Sequence, residues 1–142
     1  MGRILVIHPH QGFLDMVARI LTDRYEVQVL EHYRPAETRL ATGAPYEAVL
    51  CGLSEPAWAI RIFEKAAAAS EHTRLIPIAS DLTQLDWFRD QWNSDAPRKQ
   101  NYGSVGQEWL PEHVTVGDIH ALFASHAQEQ APDAVGTQAV ND

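Results

Sequence analysis

The chain has 142 residues, 19 acidic against 11 basic side chains, a net charge of −8 with its seven histidines neutral, and one cysteine. That length suits one domain with its own core, and 45% apolar with 21% charged residues describes a globule, not a disordered chain. No apolar run approaches the roughly 18 residues of a membrane span, and Arg3 leaves no signal-peptide core; the lone Cys51 excludes an internal disulfide or a multi-cysteine zinc site. The acidic balance argues against nucleic acid and membrane as direct partners. The expectation is a cytoplasmic domain whose partners are proteins or small molecules.

Ile4-Leu5-Val6-Ile7 is a continuous apolar run, which reads as a strand buried on both faces. Pro9 and Gly12 stop it. Phe13, Leu14, Val17, Ile20 and Leu21 then fall at helical spacing. Tyr25 to Leu30 reads as a second strand, and Pro35 to Ala41 as a polar helix ending near Gly43. Ala48-Val49-Leu50-Cys51 is a third strand, and Pro56 opens an alanine-rich helix running to Ala69. Leu75 to Ala79 is a fourth strand despite Pro77, which cannot donate to a central ladder. Leu82 to Trp92 carries Leu85, Phe88 and Trp92 on one helical face. Asn93 to Ser104 reads as a long polar loop with Arg98 and Lys99 as its basic spot, Val105 to Leu110 as a short last strand, and Val116 to Ala127 as a last helix.

A strand and a helix thus alternate five times. Strands without polar alternation, separated by helices, imply a parallel sheet covered on both faces. Five units fit an open doubly wound sheet and are too few for an eight-stranded barrel. Residues 1–127 form the expected domain, and residues 128–142 have the composition of a flexible tail.

In such a sheet ligands bind beyond the carboxyl ends of the strands. The residues there are His8, Pro9 and His10; Cys51, Gly52 and Leu53; Ala79, Ser80 and Asp81; and Pro111, Glu112 and His113. Three segments carry a resemblance: Ile4 to His10 followed by Phe13 and Leu14, Tyr46 to Pro56, and Trp109 to Thr115. Over about residues 3 to 127 the chain resembles the receiver domains of bacterial two-component response regulators. The resemblance implies a receiver-like, flavodoxin-like three-layer α/β/α sandwich with strand order 2-1-3-4-5.

It also implies a site that this chain has lost. The acidic pair that holds Mg²⁺ in receivers falls on His8 and Pro9, and the phosphoryl-accepting aspartate falls on Gly52. The hydroxyl residue ending the fourth strand falls on Ala79, or on Ser80 with a register slip of one, and the lysine after the fifth strand falls on Glu112. Transfer of a phosphoryl group to a carboxylate needs a nucleophilic oxygen, a cation, and hard oxygen ligands for Mg²⁺. Gly52, Glu112 and the His8-Pro9 pair remove them in turn. The expected function is a phosphorylation-independent signalling module, a pseudo-receiver, with no catalytic residues and no cofactor.

In receivers the face of the fourth helix, fifth strand and last helix carries dimerisation and docking. Trp87, Phe88, Trp92, Trp109 and Phe123 are the expected residues of that face here, with a protein partner or a second copy as occupant. A second reading is a small-ligand or metal sensor at the strand ends. It uses His8, His10, Cys51 and His113, with Glu112 beside them, because imidazole, thiolate and carboxylate suit a transition metal. Cys51 itself reads more readily as a small buried hydrophobe than as a reactive thiol. Asp15, Glu37, Glu47 and Glu64 read as solvated acids. No nucleophile–base pair or phosphate loop is legible, which leaves an enzyme without support.

Overall fold

The computed structural model describes residues 2–43 and 45–130. The chain runs β1 (Gly2–Ile7), α1 (Gln11–Leu21), β2 (Tyr25–Leu30), α2 (Tyr33–Thr42), β3 (Ala48–Gly52), α3 (Pro56–Ala69), β4 (Arg74–Ala79), α4 (Leu82–Asn93), α5 (Ala96–Tyr102), β5 (Leu110–Pro111) and α6 (Val116–Gln130). The five strands form one parallel sheet in the order β2-β1-β3-β4-β5. The fold is the one expected, with helices on both faces.

The sheet divides the core in two, and strand alternation decides which side each residue joins. Ile4 and Val6 of β1, with Ala48 and Leu50 of β3, pack against Leu14 and Val17 of α1 and Ile119 and Phe123 of α6. Leu5 and Ile7, with Val49 and Cys51, face Ala36 of α2, Ile62 and Phe63 of α3, and Leu85, Phe88 and Trp92 of α4. Both sides are apolar, which is why these strands carry no polar alternation. Pro56 starts α3, where its missing N–H would have had no helical partner. Asp81 caps α4 by accepting the Gln84 N–H at 2.9 Å.

Pro77 is accommodated by the shortness of β5. The Ala79 carbonyl accepts from the Glu112 N–H, so Ala79, and Pro77 two residues earlier, address the β5 side of β4. There β5 pairs only with Ile78 and Ala79. No N–H is required of residue 77 on that edge.

Three expectations about the elements need correction. Val105 to Leu110 is not a strand, since β5 begins only at Leu110. The Arg89 guanidinium donates to the Gly106 carbonyl, and Gly106 sits at φ +104°, a backbone conformation outside any strand. The polar loop from Asn93 to Ser104 contains α5, capped by Asp95 on the Arg98 N–H. Trp92 and Arg98 hold this helix down. The Trp92 indole N–H donates to the Gly103 carbonyl at 2.8 Å, while Arg98 bonds Glu64 at 2.8 Å and the Gln91 and Trp92 carbonyls. Finally, α6 continues to Gln130, so residues 128–130 are helical and the rest of the expected tail lies outside the described residues.

Glu37, Glu47 and Glu64 are half-buried, not freely solvated as expected. Glu37 pairs with Arg61 and Lys65, and Glu64 pairs with Arg98. Asp15 is exposed, as expected. Among the described residues no helix is long and apolar enough to cross a membrane.

Candidate functional site

Backbone bonds set the strand ends side by side. The His8 N–H reaches the Leu30 carbonyl of β2, the Leu53 N–H reaches Ile78 of β4, and the Glu112 N–H reaches Ala79. This register gathers His8, Gly52 and Glu112 at one edge of the sheet, with Ala79 buried at the end of β4 and Ser80 exposed beyond it.

His8 is the centre of the arrangement. Only 1% of its surface is exposed, and it is the one buried polar or charged residue among those described. Its ring stacks on Phe13 of α1 with centroids 4.4 Å apart. Its Nδ1 lies 3.1 Å from the His10 backbone nitrogen, and its Nε2 lies 3.1 Å from Oε2 of Glu112. A backbone N–H can only donate, so Nδ1 is the acceptor and carries no proton. The neutral ring's proton therefore sits on Nε2 and is donated to the carboxylate. Burial lowers the imidazole pKa below its ordinary 6.5, and the Glu112 carboxylate opposes that shift without cancelling it. At neutral pH the contact is a charge-assisted hydrogen bond from a neutral ring.

Gly52 fits this ring. A β-carbon at position 52 would stand 3.1 Å from His8 Cδ2, 3.7 Å from the Ile7 carbonyl oxygen and 3.8 Å from Pro9 Cδ. The space that a side chain of residue 52 would enter is bordered by the histidine. Pro9 and His10 are exposed at the start of the same loop.

Two residues missed in the sequence hold the neighbouring loops. The buried Tyr33 hydroxyl of α2 donates to the Gly52 carbonyl at 3.0 Å and lies 3.3 Å from Ser54 Oγ, and burial raises its pKa. Gln84 of α4 accepts the Ser80 N–H at 2.6 Å through Oε1, and its amide donates to the Leu53 carbonyl at 3.4 Å. The signal for Gln84 was its place three residues after the capping Asp81. Tyr33 carried no sequence signal, because its partner is a backbone carbonyl.

A shallow cavity of about 360 Å³ opens beside His8, lined by His10, Phe13, Met16, Glu112 and His113. The four residues of the second, metal-sensor reading do not come together. Cys51 belongs to the core on the opposite side of the sheet from Phe13 and His8, and it is fully buried, with its pKa pushed well up by that burial. Among the described residues no three His, Cys, Asp or Glu side chains converge on a common point.

The expected docking face also needs correction. Phe88, Trp92 and Phe123 are all at least 99% buried, with Phe88 and Trp92 in one core and Phe123 in the other. The aromatic spacing on α4 that suggested a surface is the spacing of its buried face. Trp109 is half-buried, and Trp87 is exposed. At about 100° per residue Trp87 lies some 60° from Gln84, which reaches toward β3, and some 160° from Arg89, which reaches Gly106. Trp87 therefore occupies the α3-ward flank of α4, away from β5. What remains between β5 and α6 is a groove of about 400 Å³ lined by Trp109, Leu110, Pro111, Asp118, Ala121 and Leu122.

No family model matches the chain, and no curated protein matches its sequence. Its backbone is similar to that of a CheY-like response regulator receiver domain protein from Methanospirillum hungatei JF-1, with 17% identity over 94% of this chain and 98% of that one and a TM-score of 0.66. The signal receiver domain of an HD domain-containing protein from Pseudomonas fluorescens Pf-5 matches with 14% identity over 91% and 96% and a TM-score of 0.62. A de novo designed Rossmann 2x3 protein matches equally well, with 13% identity over 91% of each chain and a TM-score of 0.62. The class defined by these likenesses is a receiver-like, flavodoxin-like α/β fold.

Proposed function

We propose that this chain is a receiver-like regulatory domain that works without aspartyl phosphorylation and without catalysis of its own. The single observation that carries the reading is the His8 ring packed over the bare Cα of Gly52, with Glu112 bonded to it from the end of β5. A phosphoryl group needs a nucleophilic carboxylate and a cation at this edge of the sheet. The positions that would supply them carry a hydrogen, an imidazole and a negative charge. Incubation with acetyl phosphate and Mg²⁺, followed by intact mass measurement, tests the reading. An unmodified mass is expected, and a phosphate adduct on an aspartate overturns it.

Output in this reading is docking of a protein partner, with a second copy of the chain as one such partner. The groove of Trp109, Leu110, Pro111, Ala121 and Leu122 along the sheet edge is the surface that supports it. The net charge of −8 favours a protein over a nucleic acid. We place the domain in the cytoplasm on the same composition. Leu122→Glu or Trp109→Ala is expected to abolish partner capture or self-association measured by light scattering. Unchanged binding in both variants removes the groove from the proposal.

A second reading has its own observation, the 360 Å³ cavity with imidazole and carboxylate on one side and Phe13 and Met16 on the other. It makes the strand ends a small-ligand sensor. A screen of small molecules by thermal shift, repeated on His113→Ala, separates it from docking alone.

A further inference from the structure

His8 joins two connections that are far apart in the chain. Its Nδ1 holds the His10 N–H at the entry to α1, and its Nε2–H holds Glu112 at the exit from β5, 104 residues away. His10 makes no side-chain cap at this helix start. The imidazole is thus the side-chain partner of the N-cap backbone, and the two bonds demand one tautomer. A ring with protons on both nitrogens is able to keep only the bond to Glu112.

We infer that His8 is a proton-sensitive latch, in which a second proton on the ring releases the His10 N–H and frees the start of α1 while leaving β5–α6 attached. The geometry fixes which side lets go. Protonated Nδ1–H and the His10 N–H become two donors facing each other at a 3.1 Å separation, whereas Nε2–H gains a stronger ionic partner in Glu112.

The charged and titratable groups around the ring come from two elements. Glu112, from the β5–α6 connection, favours the proton, and His113 beside it lines the same cavity. His10, at the start of α1 with its ring centroid 5.1 Å away, opposes the proton when charged. Phe13 of α1 and Gly52 of β3 cover the ring and carry no charge. Burial at 1% exposure opposes the charged form, so the neutral latch is closed at neutral pH. This device does not depend on what docks at the groove between β5 and α6.

The test is nitrogen-15 NMR of the imidazoles, with hydrogen exchange of the His10 amide, across a titration from about pH 7.5 to about pH 5. At the upper end the His8 ring is expected to carry its proton on Nε2. On acidification the His10 amide is expected to lose roughly tenfold or more of its protection, corrected for intrinsic exchange, in step with protonation of the ring. A proton on Nδ1 at neutral pH, or protection that stays flat while the ring titrates, overturns the latch. His8→Asn keeps an acceptor at the δ position and removes the titration, so its His10 protection should be flat. A persistent loss in that variant also overturns the inference. Should His8→Asn fail to fold, Glu112→Gln serves: it keeps an acceptor for Nε2–H and removes the charge that favours the proton. The release is then expected at lower pH, and a midpoint unmoved or raised overturns the proposal.

Discussion

His8 and Gly52 are fitted to each other: a β-carbon on residue 52 would stand 3.1 Å from the imidazole Cδ2, tighter than ordinary van der Waals contact. The ring in turn is fixed by the His10 N–H and by Glu112, so it has little freedom to give way. Position 52 is therefore constrained by packing.

Gly52→Asp should destabilise the domain by about 1–3 kcal/mol, the usual cost of forcing atoms into a filled core. Urea denaturation measures it. The double variant with His8→Ala should recover part of the loss, because removing the ring vacates the contested space. A non-additive double-mutant cycle is the expected signature. Strict additivity would show that the two positions do not compete.

The pH dependence of stability follows from the lowered His8 pKa. In the unfolded chain the imidazole titrates near its ordinary 6.5, and in the folded chain it titrates lower because of burial. Between those values the unfolded state binds more protons. The His8 contribution to stability is thus fully present above 6.5, falls as the pH drops through it, and levels off below the folded value. Chemical denaturation at a series of pH values should reveal this acid-side loss. In His8→Asn the component should be absent.

Glu112→Ala leaves a buried Nε2–H on His8 without its acceptor. The expected cost is about 1–3 kcal/mol at neutral pH. Glu112→Gln, which retains an amide oxygen, should cost less. Equal losses in the two variants would assign the effect to packing.

Trp92 is expected to be a stability residue, not a docking residue. Trp92→Ala should cost about 3–5 kcal/mol through the cavity it leaves. Trp92→Phe keeps much of the volume but strands the Gly103 carbonyl, and it should speed proteolysis between residues 94 and 104 more than elsewhere. Trp87→Ala, on an exposed side chain, should change stability by less than about 0.5 kcal/mol.

Cys51 should be inert toward thiol reagents in the native state, since it is fully buried and its thiolate is strongly disfavoured. Labelling should follow the unfolding transition measured by circular dichroism. Rapid labelling of the native protein would contradict its placement in the core.

Much of this was written in local patterns. The apolar runs Ile4 to Ile7 and Ala48 to Cys51 announce buried parallel strands because residues adjacent in sequence alternate between two apolar faces. The β-α order likewise needs no long-range information. Phe88 and Trp92 share the apolar spacing of Leu85 that marks the buried face of α4, and only the resemblance to receivers points to a surface there. The same local signals misled where a neighbour decides the outcome. The polar composition of residues 93–104 hid α5, which is held by Trp92 and by the Arg98–Glu64 pair across 34 residues.

The sequence by itself determined the order of elements and the parallel sheet they form. Those properties follow from hydrophobic period and residue chemistry within a few positions of each other. Only the tertiary structure decided that His8 joins Glu112, and that Cys51 stands across the sheet from both. Strand register sets those relationships, and a single step along a strand turns a side chain to the opposite face.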